Sequence, residues 1–517
     1  VYLYNLALSF EDVVRRHADR VALRPGVDDA VTYRQLDRLA ASVGTAIVTR
    51  FHLGPGDVAC IFGDKTVATY AAILACSRAG VAYAVLDTDS PVDRLARILG
   101  TCQPRLILGS PASLDALRSA GCAGTAALVD PERLLETPPD AAAMSGRARA
   151  ITGETPAYIM YTSGSTGIPK GAVMTHANVQ NLVAWARTTY DLVPEDVLTN
   201  ANALYFDNSV FDLYASLFNG ATLVPLTRAE TRDPGALVAK VNALACTVWF
   251  SVPSLLIYLQ TCKALDGKNL RSVTRFIFGG EGYPKPKLKQ LFDRYSETAQ
   301  LHNVYGPTEC TCICSSYRLS AADFESMEGL PPLGELAPNF EGLILDEQDR
   351  AVPVGEVGEL CLLGPNVGKG YYNDPDRTAA AFRQNPLNPR FREIMYRTGD
   401  LVRRDAADGK LHIQGRKDNQ IKHMGYRIEL DEIETALHRL DYVAQAAVLH
   451  QVQGGLSRLV AVVALKSPAT DEQLRGDLRA LVPDYMIPSA VHFLNELPKN
   501  ANGKVDRRHL AEQFAPR

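Results

Sequence analysis

The chain has 517 residues, more than one hydrophobic core supports, so two or more domains are expected. With 46% hydrophobic and 22% charged residues it has the composition of a folded globular enzyme. A net charge of −4 without a long basic run excludes nucleic acid as the main partner, and no apolar run reaches the ~18 residues of a membrane span.

In chain order, the start Val1-Tyr2-Leu3-Tyr4-Asn5 has neither a basic segment nor a cleavage site, so no signal peptide is expected. It also lacks Met, which suggests a trimmed or excised piece. Ten cysteines without a secretory signal read as reduced thiols and a cytoplasmic location. From Ser9 to about residue 415, helix-like amphipathic segments alternate with short β-branched runs such as Val58-Ala59-Cys60-Ile61-Phe62 and Thr247-Val248-Trp249-Phe250. That alternation predicts α/β units on mainly parallel sheets. Residues 138–155 are Ala/Gly/Ser-rich and polar, and read as a surface connector.

After the apolar run Ala157-Tyr158-Ile159-Met160 comes Tyr161-Thr162-Ser163-Gly164-Ser165-Thr166-Gly167-Ile168-Pro169-Lys170-Gly171. A strand opening into such a loop can offer backbone N–H groups, hydroxyls and one mobile cation to a polyphosphate. Pro169 stands five residues after Gly164, where a Walker loop needs Gly, which excludes the P-loop kinase and GTPase reading. A Gly/Ser linker has a similar composition, but Pro-Lys-Gly and the flanking strand argue against it.

Further on, Cys310-x-Cys312-x-Cys314 has a period of two, which suits a strand with structural or pocket-lining thiols better than a metal site. Residues 364–399 are dense in turns and predict a smaller β-rich subdomain. A boundary falls near Gly415-Arg416-Lys417-Asp418, dividing a core domain, 1–416, from a lid domain, 417–517. In the latter, residues 429–437 and 471–481 read as helices. Gly454-Gly455 reads as a hairpin turn between two β-like runs.

The loop at 161–171 closely resembles the phosphate loop of the adenylate-forming (ANL) superfamily. Its members include acyl-CoA synthetases, luciferases and nonribosomal peptide synthetase adenylation domains. Other segments resemble that family's motifs in order. They are Val31-Thr32-Tyr33-Arg34-Gln35-Leu36, residues 78–87, Asn303-Val304-Tyr305-Gly306-Pro307-Thr308-Glu309, Gly358-Glu359-Leu360, Tyr396-Arg397-Thr398-Gly399-Asp400-Leu401, residues 415–422 and Asn502-Gly503-Lys504-Val505-Asp506-Arg507. The resemblance covers nearly the whole chain and is strongest to stand-alone adenylation domains. It implies an α/β fold: a large N-terminal domain of mainly parallel sheets with helices plus a β-rich subdomain, and a small mobile α+β lid.

The resemblance also implies roles. Thr162, Ser163, Gly164, Ser165, Thr166, Gly167 and Lys170 would hold the ATP phosphates. Gly280, Glu281, Asn303, Tyr305, Gly306, Thr308, Asp400 and Arg416 would complete the nucleotide site, with Tyr305 facing adenine and Asp400 the ribose. Glu309 would supply the carboxylate for Mg²⁺. Lys504, on the lid, would stabilise charge between the substrate carboxylate and the α-phosphate. Asp418 matches the hinge, and Gly425 matches the passage of a pantetheine arm, where only a residue without a side chain leaves room.

Asp207, in Phe206-Asp207-Asn208-Ser209-Val210-Phe211, matches the aspartate that pairs with an α-ammonium group, and a carboxylate in an apolar pocket requires such a cation. The other aligned pocket positions are Asn208, Phe211, Phe250, Ile277, Gly279, Val304, Cys312 and Ile313. They are mainly apolar and suggest a small or branched aliphatic amino acid such as valine, isoleucine or 2-aminobutyrate. The expected product is aminoacyl-AMP, passed to the phosphopantetheine of a peptidyl carrier protein. The chain stops soon after Asn-Gly-Lys, so that carrier is expected in trans or on a missing downstream segment. The resemblance also admits a small MbtH-type helper. Alternatives are a D-alanine:carrier-protein ligase, favoured by Val-Pro-Asp-Tyr-Met-Ile-Pro at 482–488, and an acyl- or aryl-CoA ligase, which Asp207 disfavours.

Overall fold

The computed structural model describes residues 3–164, 167–453, 456–499 and 505–515. Strands Val58–Phe62, Ala82–Val85, Leu106–Gly109 and Ala127–Val129 pair in parallel. The crossover helix α1 (Val92–Cys102) lies between the second and third of them. Every residue of Val58–Phe62 is buried, as expected for a parallel strand covered on both faces. Strand β1 (Pro156–Thr162) joins this sheet in parallel, and β2 (Lys170–Thr175) turns back antiparallel to it.

A nine-stranded sheet forms the second layer. Its middle contains β3 (Val248–Ser251), β4 (Arg275–Gly279) and β5 (Gln300–Tyr305), side by side and parallel. Residues 341–416 build a five-stranded antiparallel sheet that includes β6 (Ile394–Arg404) and β7 (Leu411–Arg416). The C-terminal domain begins with a hairpin, β8 (Gln420–His423) and β9 (Tyr426–Glu429). A helix, Leu430–His438, and a three-stranded sheet follow. This domain buries a core of its own, including Ile433, Leu437, Val448, Val463, Leu474 and Leu478. The mixed α/β architecture with parallel sheets is the one the sequence predicts. Among the described residues, no helix is long and apolar enough to cross a membrane.

Two local expectations need correction. Residues 138–155 are not a surface connector: α2 (Ala141–Ala150) runs through them, with Met144 and Ala148 buried. Alanine is the best helix former, and the Asp140 carboxylate caps the helix by accepting from Ala143 N–H at 2.9 Å. Nor do residues 310–314 form a strand. Thr308–Cys310 is a short 3₁₀ turn, Thr311 and Cys312 have φ of 62° and 72°, and the strand starts only at Ser315. The Thr311 hydroxyl donates to Asn366 O at 2.7 Å and ties the turn to the neighbouring loop. All three thiols are nevertheless buried.

Candidate active site

A cavity of about 600 Å³ opens between the large domain and the β8–β9 hairpin. The phosphate loop, the residues following Ala203, Gly280 and the 306–308 turn line one side of it; Lys422, Gly425 and Arg427 line the other. The loop joins antiparallel β1 and β2, whose register pairs Thr162 with Lys170. Gly167 N–H donates to Gly164 O at 2.9 Å and closes the loop on itself. The Ser163 hydroxyl donates to Arg427 O at 2.8 Å, and Arg97 donates to Gly167 O at 2.6 Å. Among the described residues, the buried Thr162 hydroxyl has no hydrogen-bond partner. Ser165 and Thr166 lie outside the described residues, as does Lys504.

Glu309 is fully buried beneath the loop. Its Oε1 accepts from the Tyr371 hydroxyl at 2.7 Å and lies 3.5 Å from Lys170 Nζ, while Oε2 accepts from Arg427 at 2.7 Å. Burial alone would raise the carboxyl; the Arg427 and Lys170 charges outweigh it and hold Glu309 far below its ordinary value. Burial, then the Arg427 charge, pushes Lys170 down to about 8. With both oxygens engaged by protein donors, Glu309 does not fit a divalent cation in this arrangement.

The nucleotide candidates form a connected chain. Tyr305 donates its hydroxyl to Asp400 at 2.6 Å, and Arg416 pairs with Asp400. Arg416 also grips Asp418 with two hydrogen bonds, at 2.7 and 2.8 Å. The candidate ribose carboxylate is thus tied to the candidate hinge by one guanidinium. Asn303 instead faces away, donating to Pro332 O at 2.8 Å. Glu281 accepts from Ser254 N–H at 2.6 Å and Gly425 N–H at 2.9 Å, stitching the hairpin to the core. Gly425 has φ of 82°, and a Cβ there would lie 2.7 Å from a Val252 methyl. A side chain at 425 is therefore excluded by both backbone and space.

Asp207 sits at the N-terminus of α3 (Asn208–Leu217) and lines the cavity. It accepts from the Thr308 hydroxyl at 2.5 Å and, among the described residues, forms no ion pair. Burial raises its carboxyl, partly offset by the Thr308 hydrogen bond and the nearby Lys422 and Arg427 charges. Asn208, Gly280, Gly306 and Thr308 share the cavity wall. Phe211, Phe250, Ile277, Gly279, Val304, Cys312 and Ile313 are buried behind that wall and do not line the cavity.

Some contributors carry no assigned role in the sequence reading. Arg427 neutralises Glu309, Tyr371 orients it, and Lys422 faces the cavity with a pKa lowered by burial and by Arg427. Lys65 is a further cavity-lining cation, pinned by Asn200 O at 2.6 Å and Leu226 O at 2.8 Å and pushed down to about 7 by burial. Arg427 follows the recognised glycine by two residues, a signal that spacing could have used. Lys65 has no such local marker.

Comparison with known proteins agrees with this architecture. The model of the AMP-binding enzyme family matches residues 10–372, and that of its C-terminal domain matches residues 432–504. The L-proline--[L-prolyl-carrier protein] ligase of Streptomyces coelicolor is 33% identical, over 98% of this chain and 96% of its own length. The D-alanine--D-alanyl carrier protein ligase of Lacticaseibacillus rhamnosus is 31% identical, over 98% of both chains. Other relatives are much longer synthetases, of which the chain spans 6% to 38%. Among solved structures, a holo nonribosomal peptide synthetase protein containing adenylation and PCP domains, bound to a vinylsulfonamide inhibitor, superposes with a TM-score of 0.83 at 26% identity. That match covers 99% of this chain and 85% of the other. The matched models, the full-length relatives and the shared architecture together place this chain in the AMP-binding enzyme family, as an adenylation domain of the ANL superfamily.

Proposed function

We propose that the chain activates an amino acid with ATP, forming aminoacyl-AMP, and passes the aminoacyl group to the phosphopantetheine thiol of a carrier protein. In the first step a substrate carboxylate oxygen bonds to the α-phosphorus, and the bond to the β-phosphate breaks to release pyrophosphate. In the second, the thiol sulfur attacks the acyl carbon, its proton is lost and AMP leaves. The observation that carries this reading is Asp207: a cavity-lining carboxylate raised by burial, with a hydroxyl partner but no ion pair among the described residues. Such a group is stabilised by an incoming ammonium, which a simple acid substrate lacks.

In this reading Lys170 and the loop N–H groups face the phosphates, Asp400 the ribose, and Lys504 the α-phosphate during the first step. The present hairpin position suits the second step. Arg427 replaces external cations at Glu309, and Gly425 lines the route by which a thin pantetheine arm would enter. Mg²⁺ binding at Glu309 does not fit this arrangement, so no step is routed through it. The proline and D-alanine carrier-protein ligases, matched along nearly their whole length, support carrier loading. The apolar residues behind Asp207 support a substrate with an uncharged side chain rather than a charged one.

Amino-acid-dependent ATP–pyrophosphate exchange tests the proposal. Exchange with aliphatic amino acids, but not with propionate or isobutyrate, is the expected result. Exchange with the simple acids alone would make the chain an acyl-CoA ligase and overturn the role of Asp207.

A further inference from the structure

The end of the pocket that would receive the substrate side chain is filled by the protein itself. The cavity reaches Asp207, Asn208 and Gly280, whereas Phe211, Phe250, Ile277 and Val304 are at most 4% exposed and do not line it. Phe211 stands one helical turn after Asp207, so its ring lies behind the carboxylate on the same helix face. That ring meets Phe250 edge to face at 5.0 Å between centroids, and Tyr190 on another side at 5.7 Å. Gly279 opens no hole either. A Cβ there would lie 2.3 Å from Val304 O and 2.6 Å from a Val304 methyl, so Val304 occupies the space that the glycine leaves.

At the mouth, the Asn208 carboxamide spans from α3 towards β4. Its Nδ2 would lie 3.4 Å from a Cβ built at Gly280, and its Oδ1 is 3.9 Å from Cys312 Sγ. The space beside Asp207 is therefore bounded by Asn208 in front and by close-packed aromatic rings behind. Close-packed interiors do not admit extra methylenes freely.

Building on the pairing of Asp207 with a substrate ammonium, we propose that this chain selects an α-amino acid whose side chain is no larger than methyl, namely glycine or alanine. Asn208, Phe211 and Phe250 set the limit. This is narrower than the range suggested by side-chain types alone, which counts Phe211, Phe250 and Val304 as walls around open space.

The experiment is ATP–pyrophosphate exchange with glycine, both alanine enantiomers, serine, 2-aminobutyrate, valine and isoleucine, on the wild-type chain and on Phe250→Ala. Glycine or alanine should exceed valine and isoleucine by roughly tenfold or more in the wild type. Phe250→Ala should shift that ratio towards the larger substrates. If that variant misfolds by circular dichroism, Phe250→Leu carries the comparison. Exchange in the wild type that is fastest with serine, 2-aminobutyrate, valine or isoleucine would overturn the size limit while leaving amino-acid activation intact. Silence with every amino acid would instead overturn the Asp207 pairing itself.

Discussion

Asp207 concentrates the functional claim in one carboxylate. Burial raises its pKa, so protonation competes with ammonium binding at higher pH than for a free aspartic acid. The KM for the amino acid should therefore climb as pH falls towards that raised value, while the KM for ATP stays flat. Asp207→Asn should raise the amino-acid KM by about 10²-fold or more and flatten its pH profile. Equal losses for ATP and amino acid would instead mark a structural role. Arg416 offers a second test at this scale, because it holds Asp400 and Asp418 together. Arg416→Lys, which cannot bridge two carboxylates in the same planar fork, should slow both half-reactions by about tenfold. Stopped-flow assays of adenylate formation and carrier loading would read the two separately.

At the scale of elements, the helix Leu430–His438 of the C-terminal domain rests on α1 of the large domain. Arg94 pairs with Glu432, each at most 6% exposed, and Arg439 pairs with Asp93 at 2.9 Å. These contacts hold the hairpin in the position that places Gly425 and Arg427 at the cavity. Glu432→Gln leaves the Arg94 charge buried and weakly paired, which costs about 3–5 kcal/mol of this docked arrangement. Carrier loading should then fall by tenfold or more while pyrophosphate exchange is unchanged or faster. Parallel losses in both would show that the pair supports folding only. The pair joins residues 338 apart in sequence, and nothing local to either marks it.

For the whole molecule, histidines buried in the neutral form reduce stability in acid. Burial pushes His176, His302 and His423 each from 6.5 down to about 4. His176 Nδ1 accepts from Leu6 N–H at 3.1 Å, which requires that nitrogen to be unprotonated. The unfolded chain binds these protons first, so their contribution is complete above pH 6.5 and is lost as pH falls from 6.5 towards 4. Thermal melts between pH 7.5 and 4.5 should show Tm falling across that window, and His176→Gln should reduce the slope. A Tm unchanged down to pH 4.5 would contradict this.

Most of the architecture was legible in the chain because its cues are local. Unbroken apolar runs such as Val58–Phe62 specify buried parallel strands, and the glycines after β1 specify a loop between two paired strands. Local cues also misled: alanine-rich residues 141–150 have a connector's composition but a helix's propensity, and they fold onto the core. The tertiary structure alone decided how distant groups meet. Glu309 is neutralised by Arg427, 118 residues away, Val304 fills the space beside Gly279, and the rings of Phe211 and Phe250 pack against each other. Charge pairing and close packing depend on separations of a few ångströms between atoms far apart in sequence, so residue types name the partners but cannot say which space is left empty.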